Sequence, residues 1–365
     1  MSKTNFAIPT VQAMNSYAPP AADRRAEFKG TLLDFNERTT ALPTVIVAEL
    51  LTQLKQLPWQ VYPEDCSNAQ SALAEYCGVA PEQLLLTNGS DQAIDLIFRT
   101  FSQPRATVVI PKPSFAMFWQ ATDLLEQRVL SPQYRNDLSF PLQEVLALAS
   151  EKPQLVVLCT PNNPTGTSLR VSEIEQIVQA FPDSLVYVDE AYVEFAGETA
   201  MPLLARYPNL VISRTFSKAF GLASLRIGYI LASAEHIAEL NKVRKPYDVN
   251  AVAYIAVAAA LKYRSEAQTY IDEVTKQAKP FVEKFFVDNG IEFFSSAANF
   301  LLFKPELAAD GSPRDVKTMA QQLEAAGFAV RPRSGAPIDG TIRLTIGTKA
   351  QMEQFAAAYT KLFLQ

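Results

Sequence analysis

Lys218 lies among residue types that suit a lysine reacting as a neutral amine. It stands in residues 214–222 (RTFSKAFGL), and Arg226 follows eight residues later. A lysine that forms a Schiff base must lose its proton, and burial or nearby cations lower its pKa. Thr215, Ser217 and Arg226 would offer hydroxyl and guanidinium donors to a phosphate. This pattern predicts a lysine amine held beside a phosphate-bearing aldehyde.

A second segment delivers a carboxylate after an apolar run. Residues 186–192 (VYVDEAY) read as a buried strand that ends at Asp189, with Tyr192 three residues later. In open α/β sheets ligands bind at the C-terminal ends of the strands, and a carboxylate there can keep a pyridine nitrogen protonated. A helix N-cap and a metal ligand are the alternatives, and the metal is disfavoured because His236 is the single histidine of the chain and lies elsewhere. The segment therefore favours a carboxylate that pairs with a ring nitrogen.

A third segment, residues 155–166 (LVVLCTPNNPTG), reads as another buried strand followed by a rigid turn. Two prolines bracket two asparagines and restrict the backbone. Such a turn can aim an amide side chain, and Asn163 is in position to donate to a phenolic oxygen. The turn alone is common, and its place after a strand makes it more specific.

A fourth segment, residues 84–96 (LLLTNGSDQAIDL), predicts a strand, a turn and an amphipathic helix. Gly89, Ser90 and Asp91 would begin that helix, where backbone N–H groups and the helix dipole favour a phosphate. Ser and Asp are also ordinary helix caps, so this segment gains its meaning from the other three.

In this order and at this spacing, the four segments resemble those of the fold type I pyridoxal-phosphate aminotransferases. Within that group the chain is most similar to the histidinol-phosphate aminotransferases, over nearly its whole length. The stretches that carry the resemblance are NNPTG at 162–166, DEAY at 189–192, SKAF at 217–220 and LRIG at 225–228.

The resemblance implies a role for each of these residues toward pyridoxal 5′-phosphate. Lys218 would hold the cofactor as a Schiff base and move the proton between substrate and cofactor. Asp189 would pair with the pyridine nitrogen, while Asn163 and Tyr192 would hold the ring oxygen. The cofactor phosphate would be bound by Gly89, Ser90, Asp91, Thr215, Ser217 and Arg226.

Two aromatic residues also match family positions. Phe115, in residues 112–118 (KPSFAMF), corresponds to the aromatic that stacks on the pyridine ring. Many relatives carry tyrosine there, so this chain would keep the stacking face without the hydroxyl. Tyr62 matches a tyrosine that reaches the phosphate of the partner subunit. The resemblance thus implies a homodimer.

Substrate contacts are expected near the two ends of the chain. Arg343 lines up with the family arginine that binds a substrate anion, and a guanidinium suits this because it forms two parallel hydrogen bonds. Arg331 is a candidate for a second anion contact, Asn163 for a further substrate contact, and Tyr17 for a residue that closes over the substrate. Residues 34–43 (DFNERTTALP) keep the Asn-Glu of the family but lack the Asn-Pro and Gly that follow it. This departure leaves the substrate open.

Several other functions therefore remain as alternatives. An aromatic amino-acid aminotransferase fits almost as well, and a related phosphothreonine decarboxylase would use the same cofactor site. A regulator without catalysis is disfavoured, because it would not need the intact Lys218. A nucleophilic hydrolase is disfavoured because the chain has no Gly-x-Ser-x-Gly motif.

Composition agrees with a cytoplasmic enzyme, and the resemblance implies small-molecule partners, an amino donor and a 2-oxo acid. The 365 residues are 48% hydrophobic, enough for a large core in two domains. A net charge of −5 gives no electrostatic reason to expect nucleic acid or a membrane as a partner. Cys66, Cys77 and Cys159 read as reduced cysteines. Residues 1–5 open no signal-peptide pattern.

The expected fold class is α/β, with a large domain built on a mainly parallel sheet covered by helices and a small α+β domain. Residues 44–250 alternate helices with apolar strands and predict the large domain. Residues 251–365 predict a linking helix, or two helices broken near Pro280, and the small domain. Residues 1–43 are expected to pack on the small domain.

Overall fold

The computed structural model describes residues 5–16, 27–63, 66–307 and 311–365. Tyr17 lies outside these residues. The described residues form thirteen strands, numbered in chain order: β1 Thr31–Leu32, β2 Leu84–Thr87, β3 Thr107–Val109, β4 Arg128–Leu130, β5 Leu155–Cys159, β6 Leu185–Asp189, β7 Leu210–Thr215, β8 Gly228–Leu231, β9 Glu292–Phe294, β10 Phe300–Lys304, β11 Phe328–Ala329, β12 Arg331–Pro332 and β13 Ile342–Thr345.

Seven strands form the large sheet, in the order β2-β8-β7-β6-β5-β3-β4. Strands β3 to β7 run parallel to one another, while β8 is antiparallel to both of its neighbours. Strands β5, β6 and β7 are buried along their whole length, which explains their continuous apolar sequences. The expectation of a mainly parallel sheet is confirmed.

Helices cover both faces of this sheet, because alternate strand residues enter different cores. Val186 and Val188 belong to one buried cluster, while Leu185 and Tyr187 belong to another on the opposite face. The α-helices are Pro9–Ala13, Thr44–Leu54, Ser67–Cys77, Gly89–Phe101, Ala116–Leu124, Leu142–Ala147, Val171–Ala180, Val193–Ala196, Ala234–Val243, Ala251–Lys262, Arg264–Asp272, Lys279–Asp288, Val316–Ala325 and Lys349–Tyr359.

A second sheet has the order β12-β13-β10-β9 and is antiparallel throughout. Strand β1 pairs in parallel with β11. Beside this pair, the Leu33 carbonyl accepts a hydrogen bond from the Thr345 backbone N–H at 3.0 Å. Residues 31–33 therefore join the strands of the C-terminal part. The domain boundaries at residues 43 and 250 stay a prediction.

The predicted break near Pro280 is wrong in its position. The helical region breaks at Tyr263, between Ala251–Lys262 and Arg264–Asp272. A π-helical segment, Glu273–Ala278, then leads directly into Lys279–Asp288. Pro280 lies in the first turn of that last helix, where its missing N–H costs little. The widened turn before it lets the chain continue without a break.

Cys66, Cys77 and Cys159 are all free, the last two of them buried. Within the described residues, no helix is both long and apolar enough to cross a bilayer.

Candidate active site

The large sheet places its functional side chains at one edge, above a cavity of about 510 Å³. Because β5, β6 and β7 are parallel, their C-terminal ends meet there, with Cys159 paired to Asp189 and Asp189 to Ser213. Most residues that the sequence singles out line this cavity: Ser90, Asp91, Phe115, Asn163, Asp189, Tyr192, Thr215, Ser217, Lys218, Arg226, Arg331 and Arg343.

Lys218 is half-buried in the turn after β7, with its amine in the cavity. Its Nζ donates to the Phe35 carbonyl at 2.9 Å and lies 5.6 Å from the centroid of the Tyr192 ring. Burial, and then the nearby Arg343 guanidinium, lower the pKa of the Lys218 amine to about 8. The neutral amine that Schiff-base chemistry requires is therefore accessible near neutral pH.

Asp189 ends β6 and is buried. Its Oδ1 accepts the backbone N–H of Ala191 at 2.9 Å. Burial raises the pKa of this carboxyl to about 7, although that hydrogen bond opposes the shift. A cationic N–H donor in the cavity would offset the cost of burying this charge.

The start of the helix Gly89–Phe101 forms a second end of the cavity. Arg226 donates from Nη2 to Asp91 Oδ2 at 2.8 Å, which holds the guanidinium across the first turn of the helix. A Cβ added at Gly89 would lie 2.8 Å from Arg226 Nη2. One added at Gly228 would lie 2.8 Å from the backbone nitrogen of Ser90. Gly89 has a φ of 77°, which other residues rarely adopt, and at Gly228 a Cβ would meet backbone atoms. The N–H groups of the helix start beside Arg226 suit a phosphate.

The hydroxyls expected beside this helix start are in place. Thr215 Oγ1 donates to Ser217 Oγ at 3.0 Å and accepts the backbone N–H of Ser217 at 3.1 Å. Both side chains are buried at the end of β7 and line the cavity. The turn is therefore held by its own hydroxyls, which fixes the backbone that carries Lys218.

Asn163 and Arg343 are coupled across the cavity. Arg343 donates from Nη1 to Asn163 Oδ1 at 2.6 Å and from Nη2 to the Asp34 carbonyl at 2.6 Å. Asn163 in turn donates from Nδ2 to the Tyr192 hydroxyl at 3.3 Å. Burial, opposed by Tyr192, lowers the pKa of the Arg343 guanidinium to about 10. An anion that entered the cavity would relieve this unbalanced charge.

Aromatic side chains form the apolar walls. Phe115 precedes the helix Ala116–Leu124 and packs edge-on against Phe118, with ring centroids 5.9 Å apart. Tyr192 packs edge-on against Phe300 at 5.2 Å, and burial raises the pKa of its hydroxyl to about 12. Both rings are held by neighbours on the side away from the cavity, so each can offer a fixed face to a flat ligand.

Two contributions to the cavity were missed by the sequence reasoning. Arg333 lines it together with Arg331, whose guanidinium lies 5.8 Å from the centroid of the Phe35 ring. The sequence Arg-Pro-Arg at 331–333 could have indicated that both arginines lie at the site. The segment Asp34–Phe35–Asn36 contacts Arg343, Lys218 and Tyr192 in turn. In the sequence, the only sign of this role is the Asn-Glu pair at 36–37, which the aminotransferase family also has.

Other singled-out residues lie away from the cavity. Tyr62 is 70% exposed and stacks on Tyr247, with ring centroids 4.6 Å apart. It does not line the cavity of its own chain, and its reach into a partner stays a prediction. Tyr17 lies outside the described residues. His236 packs edge-on against Phe101 at 4.9 Å, in the helix Ala234–Val243.

A known protein family and several of its members match this chain over most of its length. The family described as "Aminotransferase class I and II" matches residues 29–358. The histidinol-phosphate aminotransferase of Ruminiclostridium cellulolyticum is 33% identical over 342 residues, which cover 90% of this chain and 93% of the relative. That of Chlorobaculum tepidum is 34% identical over 334 residues, with the same coverage.

Solved structures agree on the fold. The histidinol-phosphate aminotransferase of Sinorhizobium meliloti, in complex with pyridoxal 5′-phosphate, has a TM-score of 0.86 at 23% identity and covers 99% of this chain and 98% of its own. A Thermus thermophilus aspartate aminotransferase double mutant has a TM-score of 0.81 at 20% identity and covers 98% and 100%. The chain belongs to the class I and II aminotransferase family.

Proposed function

We propose that the protein is a pyridoxal-phosphate-dependent aminotransferase that transfers an amino group between histidinol phosphate and a 2-oxo acid. One observation carries this: the amine of Lys218 and the carboxylate of Asp189 line one cavity, beside a helix start that suits a phosphate. The names of the curated relatives support the substrate, because they are histidinol-phosphate aminotransferases at 33–34% identity over about 90% of the chain.

The residues of the cavity fit pyridoxal phosphate. Asp189 is a buried carboxylate that lacks a cationic partner among the contacts of the described residues, and a protonated ring nitrogen would supply one. The helix start at Gly89 lies beside the Arg226 guanidinium, where a phosphate could accept hydrogen bonds from both. Phe115 provides a wall for a flat ring. These three features match the nitrogen, the phosphate and the face of one molecule.

Each residue then has a defined task. When bound, pyridoxal phosphate would supply an electron sink for negative charge at the substrate Cα. Asp189 would keep the ring nitrogen protonated, because its negative carboxylate stabilises the positive charge of the protonated nitrogen. Lys218 would hold the cofactor and move the Cα proton on Nζ, with a pKa near the working pH. Ser217 and Arg226 would bind the phosphate, and Tyr192 and Asn163 would hold the ring oxygen.

The opposite end of the cavity would bind the substrate anion. Arg331, Arg333 and Arg343 line it together, and Arg331 and Arg333 both contribute to the lowered pKa of Arg343. Asp34 and Glu37 also line the cavity. Three guanidiniums suit the phosphate of histidinol phosphate and the carboxylates of a 2-oxo acid. Phenylalanine has an uncharged phenyl ring in place of a phosphate, so part of the positive charge of the three arginines would lack an anionic partner.

We expect histidinol phosphate and glutamate to convert the enzyme-bound cofactor from its aldehyde to its amine form. The measurement is a single-turnover absorbance screen with histidinol phosphate, glutamate, phenylalanine, tyrosine, tryptophan and phosphothreonine. Rapid conversion by histidinol phosphate and glutamate, with slow conversion by the aromatic amino acids, is the expected result. The opposite order would make the protein an aromatic amino-acid aminotransferase, and release of CO₂ from phosphothreonine would make it a decarboxylase.

We further propose that the active unit is a homodimer. Trp59, Val61 and Tyr62 are each more than half exposed and lie within four residues of one another. Such an exposed apolar patch is typical of a contact surface. Sedimentation equilibrium should therefore give about twice the chain mass, and the Tyr62→Ala protein should bind pyridoxal phosphate more weakly. A monomer with full activity would contradict this proposal.

A further inference from the structure

The Tyr192 hydroxyl receives two hydrogen bonds from amide side chains. Asn36 donates from Nδ2 to the hydroxyl oxygen at 3.0 Å, and Asn163 donates from Nδ2 at 3.3 Å. Asn36 is buried and lies 156 residues before Tyr192 in the chain. The sequence around Tyr192 does not predict this contact.

Further partners hold both amides in this orientation. Thr345 Oγ1 donates to Asn36 Oδ1 at 3.2 Å and accepts the backbone N–H of Asn36 at 3.0 Å. Arg343 donates to Asn163 Oδ1 at 2.6 Å. Arg343 can only donate, so Asn163 must present its oxygen to Arg343 and its nitrogen to Tyr192. For Asn36, the Thr345 hydroxyl donates to Oδ1, which leaves Nδ2 toward Tyr192.

This arrangement decides where the Tyr192 proton points. A hydroxyl oxygen has two lone pairs, and here both accept N–H groups. In the part of the chain that the structure describes, the hydroxyl donates to no protein atom. Tyr192 lines the cavity, so its O–H group points to the cavity contents. Accepting two hydrogen bonds also makes the hydroxyl a stronger donor.

The backbone at Asn36 is built for this position. Its φ is 55°, in the left-handed region that asparagine tolerates better than most residues. Asn299 donates from Nδ2 to the Asn36 carbonyl at 3.1 Å, and Thr345 holds its N–H. Both of these partners belong to the second sheet or the segment leading into it. Asn36 thus connects that sheet to a residue that follows β6.

We propose that Asn36 is a positioning residue that acts through Tyr192: together with Asn163 it occupies both acceptor sites of the hydroxyl, so that Tyr192 donates its proton to the ring oxygen of the cofactor. This inference rests on the proposed function, since it concerns the same cofactor. It assigns a role to the asparagine of the Asn-Glu pair in the N-terminal segment, which is far in sequence from the stretches around Asn163, Asp189 and Lys218.

The test uses Asn36→Gly, because glycine keeps the left-handed backbone while it removes the amide. Donation to the ring oxygen withdraws electron density and favours loss of the imine proton of the Lys218-bound cofactor. The pKa of that chromophore, read from its visible absorbance, should therefore rise by about half to one unit, the equivalent of one hydrogen bond. Thr345→Val removes the hydroxyl that orients Asn36 and should shift it in the same direction.

A Tyr192→Phe background separates positioning from a general structural effect. If Asn36 acts through Tyr192, Asn36→Gly should not shift the chromophore pKa further in that background. Thr39→Val is the matched control, because Thr39 lies in the same segment and its Oγ1 bonds to Gln351 instead, at 2.7 Å. It should leave the chromophore pKa unchanged even where the melting temperature falls.

The outcomes separate this inference from the proposed function. An unchanged chromophore pKa in Asn36→Gly, or an equal shift with and without the Tyr192 hydroxyl, overturns the role of Asn36 and leaves the aminotransferase proposal intact. Absence of any chromophore when pyridoxal phosphate is added to the unaltered protein overturns both. A shift that requires Tyr192 supports the positioning role.

Discussion

Lys218→Ala is expected to lower kcat by about 10⁴-fold, because it removes both the amine that holds the cofactor and the group that moves the Cα proton. No other lysine among the described residues lines the cavity. The measurement is steady-state amino transfer from histidinol phosphate to 2-oxoglutarate. Borohydride reduction followed by peptide mass spectrometry should give a cofactor adduct on the Lys218 peptide of the unaltered protein and none in the variant.

Lys279 provides an internal control for the labelling. It is also buried, but its Nζ donates to the carbonyls of Ser296 and Ala298 at 2.7 and 3.2 Å, away from the cavity. Burial lowers the pKa of its amine too, so low pKa alone would not distinguish the two lysines. The Lys279 peptide should remain unmodified. An adduct on Lys279, or a Lys218→Ala protein that keeps its activity, would contradict the assignment.

The lowered pKa of Lys218 gives a second readout in the cofactor-free protein. The folded-state pKa of about 8 lies below the ordinary value of 10.5, so the folded protein binds fewer protons than the unfolded chain between these values. The free energy of unfolding should therefore rise with pH from about 8 to 10.5 through this group. Lys218→Met should be more stable than the unaltered protein at pH 7, by a margin that shrinks across this window.

Three of the residues that the sequence identified stand at, or shortly after, the end of an apolar parallel strand. Asp189 ends β6, Asn163 follows β5 and Lys218 follows β7. Parallel strands bring their C-terminal ends together, so order along the chain was enough to predict proximity in space. The same regularity made the mainly parallel sheet predictable, because continuous apolar strands alternated with helical segments.

Residues whose contacts are distant in sequence could not be found this way. Asn36 reaches Tyr192 across 156 residues, and the Phe35 carbonyl reaches Lys218 across 183. These contacts depend on how β1 pairs with β11 and how Leu33 bonds to Thr345 at the end of β13, which no local pattern encodes. The helix break was misplaced for a related reason. Pro280 follows a π-helical turn and lies in the first turn of the next helix, where its missing N–H does not end the helical region.

Arg343→Gln is expected to lower kcat/KM for histidinol phosphate by about 30- to 150-fold, or about 2–3 kcal/mol, because it removes a charge-assisted contact to the substrate anion. KM should rise for both substrates. The structure adds a second expectation. Arg343 Nη1 also holds Asn163 Oδ1 at 2.6 Å, so kcat should fall as well when the Asn163 amide is free to rotate. Steady-state kinetics with each substrate varied in turn measures both effects.

Two further variants separate the two roles of Arg343. Arg343→Lys keeps the charge but cannot reach Asn163 and the Asp34 carbonyl with one planar group, so it should recover KM more than kcat. Arg331→Gln removes a guanidinium of the same cavity that lies over Phe35, and it should change KM alone. If Arg343→Gln raised KM with kcat unchanged, its contact with Asn163 would have no catalytic consequence. If neither parameter changed, the substrate anion would bind elsewhere, and the cluster of guanidiniums could not be its site.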